Sequence, residues 1–477
     1  MRTPSKWLIF VLVAIAQFMV VLDSAITNVA LPTIKQQMHF SNSTLQWVVT
    51  AYALTFGGFL LLGGRAADLF GRRRTLLIGM MAFTCFSFLI GISHSEFSLI
   101  ALRSLQGTAA AFMSPSALSI VLTTFRDGPA RNRALAYWTL VATGGAAVGL
   151  LLGGALTQYV GWRWDFFINV PVGIIMSVLI YRLVPKHSRE GVYTGLDLSG
   201  ALFVTSSLMS MVFAFSQAST WGWGSARFLG VLALSIALIG GFIINESRVK
   251  HPLVPLSIFK IRNVVGANLM MAPIYAVMMS LFFIVTIYIQ SILHYSPVQA
   301  GLAFLPMPII LGIMSTRIPK LVARYGFKRF LILGPALVAI GSIWLSLLPV
   351  HGSYGINILP ALVVIPLGMG MTFMPIIVAA TSGVPTKSAG LASGLITTSQ
   401  QMGGALGLSV ISGVAASVTA ASGYLGAQGA LVHGFDRSML VAVAFLAIAI
   451  AVGVFVIHNR KTSKTEHHQS LSLATEA

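Results

Sequence analysis

Long apolar runs alternate with short polar or charged breaks from one end of the chain to the other. A run of roughly 20 apolar residues crosses a bilayer as a helix, because lipid offers no partner for backbone N–H and C=O groups. Such runs, punctuated by Gly, Pro and charge, predict helices near 7 to 33, 45 to 68, 74 to 93, 97 to 125, 134 to 159 and 164 to 184. Two more are predicted near 197 to 217 and 226 to 247. A last six fall near 264 to 291, 297 to 318, 328 to 349, 356 to 381, 389 to 416 and 438 to 458. The pattern predicts an all-α integral membrane protein with 14 transmembrane helices.

Composition agrees: 56% of residues are hydrophobic and 9% charged, against about 25% charged in soluble domains. The net charge of +19 would suit nucleic acid or an anionic surface, so the placement of the 30 Lys and Arg residues decides its meaning. With both termini cytoplasmic, all but five of them fall in inner segments. The five are Lys35, Arg163, Arg227 and Arg437 outside and Arg103 within a helix. This is the positive-inside bias of a membrane protein, and it displaces the nucleic-acid reading. The basic start "MRTPSK" precedes a run of full span length carrying Asp23, which reads as a retained first helix rather than a cleaved signal. Cys85, the single cysteine, reads as a packing residue.

An internal repeat divides the chain. "GGRAADLFGRRRTLLIG" and "IPKLVARYGFKRFLILG" align without gaps, pairing Gly71 with Gly326, Arg73 with Lys328 and Arg74 with Arg329, although Ala323 replaces Asp68. Each copy follows the second helix of a six-helix group, and internal symmetry of this kind marks secondary transporters. The expected organisation is a six-helix half at 1–190, two inserted helices at 191–250, a second half at 251–460 and a disordered tail at 461–477. The stretch "NESRVKHPLVPLSIFKIRN" between insertion and second half reads as a cytoplasmic connector lying at the membrane interface.

No phosphate-binding loop, H-E-x-x-H or C-x-x-C occurs, so neither ATP hydrolysis, a metal site nor another cofactor is expected, and the chain does not read as an enzyme. Chemistry concentrates instead in buried charge. Asp or Arg at the bilayer centre costs roughly 2.5 to 3.5 kcal/mol each, and persists where it faces protein, water or an opposite charge. Asp23, on a face with Met19, Ile26, Thr27 and Ala30, and Arg103, on a face with Gln106, Gly107 and Ala110, form the candidate pair. A carboxyl in a cavity that opens and closes can load and release a proton. A packing role for Asp23, against Thr27, Asn28 or another helix, is the alternative.

The loop "GGRAADLFGRRR" joins Gly63, Gly64 and Gly71, which permit close backbone approach, to Asp68, placed for a helix N-terminus or an arginine, and to Arg72, Arg73 and Arg74 at the anionic leaflet. These parts fit a latch that breaks when the molecule changes state. In the fifth helix, Gly145, Gly149 and Gly153, with Gly154 beside them, give a smooth face for close helix contact, and Gly403 and Gly407 offer another in the thirteenth.

Taken together, "LDSAITNVALP", "GGRAADLFGRRR", "LRSLQGTAAAFMSPSA", "GAAVGLLLGG", "GWRWDFFINVPVG" and "TTSQQMGGALG" resemble the major facilitator superfamily, specifically its fourteen-helix drug:proton antiporters. The resemblance implies two six-helix halves working by alternating access. It also implies export of lipophilic compounds driven by inward proton flow. Carried over, Asp23 and Arg103 match the proton-coupling residues. Gly64, Asp68, Gly71 and Arg72 match the loop that latches the outward-facing state, and the fifth-helix glycines match an exporter signature. The family usually has Pro after Gly149; this chain has Leu150, which removes an expected kink.

Few acids reach the membrane core, so neutral or monocationic substrates are expected. Candidate contacts are Met19, Ile26, Thr27, Tyr52, Gln106, Met278, Phe282 and Gln400. A carrier of one metabolite or nutrient, and a non-transporting sensor or scaffold, are the competing readings. The expected partners are substrate, proton and bilayer, with a monomer as the working unit, in the plasma or inner membrane.

Overall fold

A computed structural model describes residues 5–125, 129–185, 197–250, 252–382, 384 and 389–458. The predicted tail at 461–477 and the loop around Lys387 lie outside the described residues. Helices fill the order of the sequence: α1 Lys6–Met38, α2 Trp47–Phe70, α3 Arg72–Gly91, α4 Glu96–Thr124, α5 Pro129–Tyr159, and α6, Trp164–Phe167 running on as Asn169–Leu183. The inserted pair follows as α7 Leu198–Trp221 and α8 Ala226–Arg248. Then come α9 Arg262–Ser291, α10 in two pieces, Pro297–Ala303 and Pro306–Tyr325, α11 Phe327–Leu345, α12 Leu359–Thr381, α13 Ala389–Ala421 and α14 Gly426–Phe455. Among the described residues, 13 segments are long and apolar enough to cross a membrane, and α5 stands in the place of the remaining expected span.

Two boundaries differ from the sequence pattern. The sequence pattern ends the first helix near 33, yet α1 continues past Pro32 to Met38. A proline inside a membrane helix is tolerated where neighbours satisfy the carbonyls it frees. In the turn before Pro32, Gln290 of α9 packs alongside and donates its Nε2 to the Val29 carbonyl at 2.9 Å. The last helix starts at Gly426 rather than near 438, so Asp436 and Arg437 lie within α14. Its early turns are helical because they bury against α13: a Cβ on Gly434 would stand 2.5 Å from the Ala415 carbonyl oxygen.

Outward faces of the bundle are apolar. On α8, Leu229, Leu234, Ile236, Ile243 and Ile244 are exposed, the surface a helix presents to lipid. Cys85, expected to be packed, is also exposed. The insertion leans on both groups of six. Ser207 of α7 and Ser235 of α8 exchange hydrogen bonds with each other's carbonyls at 2.9 Å. On its other side α7 meets Trp47 of α2, whose Nε1 donates to Ser216 at 3.1 Å, while Trp223 donates to Ser417 of α13 at 3.2 Å.

Part of the connector after α8 is folded onto the bundle, while its Leu256 and Phe259 stay exposed. Leu253, Val254 and Ile258 are buried against Leu62, Ala201, Val264, Ala392 and Leu395. Arg65 donates to the Pro252 carbonyl at 2.9 Å, and the Val254 N–H donates to Glu246 at 3.1 Å. Beside it Asp197 caps α7 by accepting from the Gly200 N–H at 2.7 Å, and also accepts from Ser199 and Asn245. Burial pushes the Asp197 carboxyl up, but these donors outweigh it and hold the group below its ordinary range.

Candidate functional site

The site is built where α1, α2, α4 and α6 meet. The Asp23 carboxylate is 1% exposed and so is the Arg103 side chain. Arg103 donates Nη1 to Asp23 Oδ2 at 2.5 Å and to Gln106 Oε1 at 2.6 Å, and Nε to the Val48 carbonyl at 2.9 Å. The other carboxylate oxygen, Oδ1, accepts from Gln106 Nε2 at 2.9 Å and from Asn169 Nδ2 at 3.1 Å. Gln106 Nε2 also donates to Ser87 Oγ at 2.8 Å. The guanidinium carbon stands 4.4 Å from the centre of the Tyr52 ring and 5.6 Å from that of Phe166.

Asp23 thus has three side-chain donors, the arrangement of an ionised carboxylate. A proton placed on it would weaken every one of these bonds. The alternative partners on its own helix do not hold the carboxylate: Thr27 Oγ1 donates to the Asp23 backbone carbonyl at 2.7 Å and Asn28 to the Ser24 carbonyl at 2.8 Å. Asn169, Ser87 and Phe166 join the cluster from α3 and α6, where the sequence pattern gave them no prominence. The available signal was an Asp and an Asn four residues apart, Asp165 and Asn169, in an otherwise apolar run.

The eight candidate substrate contacts are distributed. Tyr52 and Gln106 belong to the charge cluster, and Met19 lies in the same buried core as Tyr52. Thr27 is buried, and Ile26 packs on α5, where a Cβ on Gly153 would meet its Cα at 2.8 Å. Met278 and Phe282 on α9 and Gln400 on α13 are half-buried in the second group of six. Phe282 lies 5.1 Å from the Phe304 ring centre. A cavity of about 450 Å³ lined by residues including Tyr295, His351 and Tyr354 shares no residue with this set or with the charge cluster.

The glycine face of α5 lies against α1. A Cβ on Gly149 would stand 2.7 Å from the Ala25 Cβ, and one on Gly145 3.2 Å from Phe18. Gly154 faces the other way, toward the Pro297 carbonyl of α10. Leu150 is buried, and its carbonyl oxygen lies against Gly301, so α5 is unbroken where a proline was expected. On α13, Gly403 and Gly407 seat against Ala272 and Ala276 of α9 in the same manner.

At the loop between α2 and α3, Gly71 ends one helix and begins the next with φ +95, a conformation that only glycine adopts without strain. Its repeat partner Gly326 does the same between α10 and α11 with φ +77. Asp68 pairs with Arg72 at 3.7 Å and its side chain is 64% exposed. Arg73 turns to α6, donating to the Tyr181 carbonyl, with its guanidinium carbon 5.1 Å from the Tyr181 ring centre. The Gly64 neighbourhood is looser, with Pro115 3.8 Å from where a Cβ would be. At the end away from this loop, hydrogen bonds among the described residues join the two groups of six. Gln290 reaches Val29, the Val298 N–H donates to Gln158 at 3.3 Å, and Ser412 donates to Gln46.

The Major Facilitator Superfamily profile matches residues 13–408. The chain belongs to that superfamily. It is a multi-pass membrane transporter and not an enzyme. Among its relatives, the puromycin resistance protein pur8 of Streptomyces alboniger is 36% identical over 97% of this chain and 93% of its own length. The cephamycin export protein CmcT of Amycolatopsis lactamdurans is 38% identical over 98% and 96%. Solved structures share the fold at 15% identity. The peptide-family transporter PepTSo superposes with a TM-score of 0.70, covering 94% of this chain and 99% of its own. A bacterial homologue of the lysosomal transporter Spinster, inward-facing and unoccupied, superposes with a TM-score of 0.67, covering 94% and 96%.

Proposed function

We propose that this transporter exports lipophilic neutral or monocationic compounds in exchange for protons, with Asp23 as the proton site and Arg103 as its partner. The observation that carries this reading is the Asp23 carboxylate, buried and satisfied only while ionised and paired with Arg103. Loading a proton removes the charge that holds Arg103 and Gln106, and so frees α1 relative to α4. Burial of a separated charge is costly, so proton loading and helix movement are linked. Relatives named for puromycin resistance and cephamycin export support export of small organic molecules as the direction of transport.

In this reading the two groups of six are the halves that rock against each other, with α7 and α8 an accessory pair beside the α2–α13 seam, and the working unit is a monomer. Both termini and the basic loops face the cytoplasm of a plasma or inner membrane, as the Lys and Arg distribution supports. The exposed Asp68, paired with Arg72, then corresponds to a released inner latch, and the bonds at Val29, Gln158 and Gln46 to a closed outer gate. Glycine contacts of α5 with α1 and α10 let it slide during the change. Met278, Phe282 and Gln400 supply apolar and amide contacts for substrate, with Met19 and Tyr52 from the other half.

The test is accumulation of a lipophilic cationic dye in inverted vesicles under an imposed proton gradient, comparing the wild type with Asp23→Asn. The expected result is gradient-driven accumulation in the wild type and its loss in the variant. Equal gradient-driven uptake in both would remove Asp23 from coupling.

A further inference from the structure

One buried acid stands outside the Asp23 cluster but on the helix that completes it. Asp165 lies in the first turn of α6 and is 1% exposed. Its Oδ2 accepts from Thr157 Oγ1 of α5 at 2.6 Å. Its Oδ1 is buried with no hydrogen-bond partner among the described residues. An ionised oxygen left bare in a dry interior is costly, so a carboxyl placed this way is suited to holding a proton.

What surrounds it gives that proton a destination. Phe166, the next residue, has its ring over the Arg103 guanidinium, and Asn169, one turn further, donates to Asp23. A helical turn advances about 5.4 Å, so Asp165 sits one turn beyond the Asp23 cluster, toward the end of the bundle away from the basic loops. That end is capped by the wholly buried Trp162, which donates to Gln37 at 3.0 Å, and by Arg163, which donates to the Ser93 carbonyl at 3.3 Å. Of the charged and titratable groups, Asp23 on α1 and Arg103 on α4 are reached through Asn169 and Phe166, Arg163 precedes Asp165 by two residues, and Tyr159 lies two residues beyond Thr157 on α5. α3 carries its arginines at its other end.

We propose that Asp165 is a second proton-carrying carboxyl, standing between the outer end of the bundle and Asp23. It rests on the proton-coupled reading above. A proton leaves hydronium at the outer side and forms an O–H bond at Asp165 Oδ1. When the Asp23–Arg103 pair opens, that O–H bond breaks and one forms on the Asp23 carboxylate, leaving Asp165 ionised. Total charge is conserved and no electron is transferred.

The experiment uses the purified full-length protein in proteoliposomes with ethidium as probe. Gradient-driven transport and gradient-free counterflow are measured while the pH on the outer face is varied. Asp165→Asn is expected to slow gradient-driven transport about 100-fold, the scale of a lost positioned proton carrier, to leave counterflow unchanged and to flatten the dependence on outer pH. Asp165→Glu restores that dependence, and Thr157→Val displaces its midpoint. A wild-type rate and pH profile in Asp165→Asn would overturn the proposal. So would loss of counterflow in both Asp165 variants, which marks a packing role. A wild type indifferent to the proton gradient would instead overturn the proton-coupled reading itself, and this proposal with it.

Discussion

At the scale of single residues, the protein pairs a buried acid with a buried base and completes the pair with amides. Asp23 and Arg103 are each costly in a membrane interior, and they are kept because each supplies the other's counter-charge while Gln106 and Asn169 fill the remaining acceptor positions. Arg103→Ala leaves the carboxylate without its cation and is expected to cost about 3 to 5 kcal/mol. The double variant Asp23→Asn/Arg103→Ala recovers most of that loss, read by thermal unfolding in detergent; a double variant as unstable as the single would show that Arg103 acts chiefly by packing. Asp197 offers a pH test away from the membrane core. Because its folded carboxyl sits below its ordinary range, the stabilisation is fully present above the unfolded value of about 3.9 and fades as the pH falls through the lower folded value. Asp197→Ala is therefore expected to lower stability by about 1 kcal/mol between pH 5 and 8, as for a lost helix cap. The gap to the wild type closes in strong acid.

At the scale of elements, hydrophobic period and punctuation located the long helices among the described residues, and the glycines that matter could be read from their spacing. Gly153 is a case where the structure explains the residue by contact: a side chain there would meet the backbone of Ile26, three residues from Asp23. Gly153→Leu is expected to cost about 1 to 3 kcal/mol by overpacking and to abolish transport, checked by melting and dye efflux on the same preparation. Gly71→Ala, forced to φ +95, is expected to lose about 1 kcal/mol or more. Legibility failed where tertiary contact overrode a local sign. Pro32 is a helix breaker by itself, but Leu31, Pro32 and Ile34 are buried and the helix continues to Met38. Asp436 and Arg437 resemble the rim of a span, yet α14 begins ten residues before Asp436 because Gly434 seats it on α13. Asp23 and Arg103 could be found by their rarity in apolar runs. Ser87 and Asn169 could not, since a small polar residue in a membrane helix usually satisfies its own backbone, as Ser280 does with the Ala276 carbonyl.

At the scale of the whole molecule, the repeated loop and the repeated glycine seating describe two groups of six built on one plan. Gly71 and Gly326 make the same turn, and α5 meets α1 as α13 meets α9. The charge cluster belongs to one group alone, and the second carries no counterpart to Asp68. In the proposed reading, proton handling falls to the first group and the second completes a substrate path. The account stands on exchange of substrate for protons through Asp23. The measurement that reaches it most directly is the change in luminal pH when an ethidium gradient is imposed on reconstituted vesicles with no prior pH difference. Proton movement opposite to the dye is expected in the wild type, and none in Asp23→Asn, with dye counterflow kept in both. Dye movement without any pH change in the wild type, or the same pH change in Asp23→Asn, would contradict it.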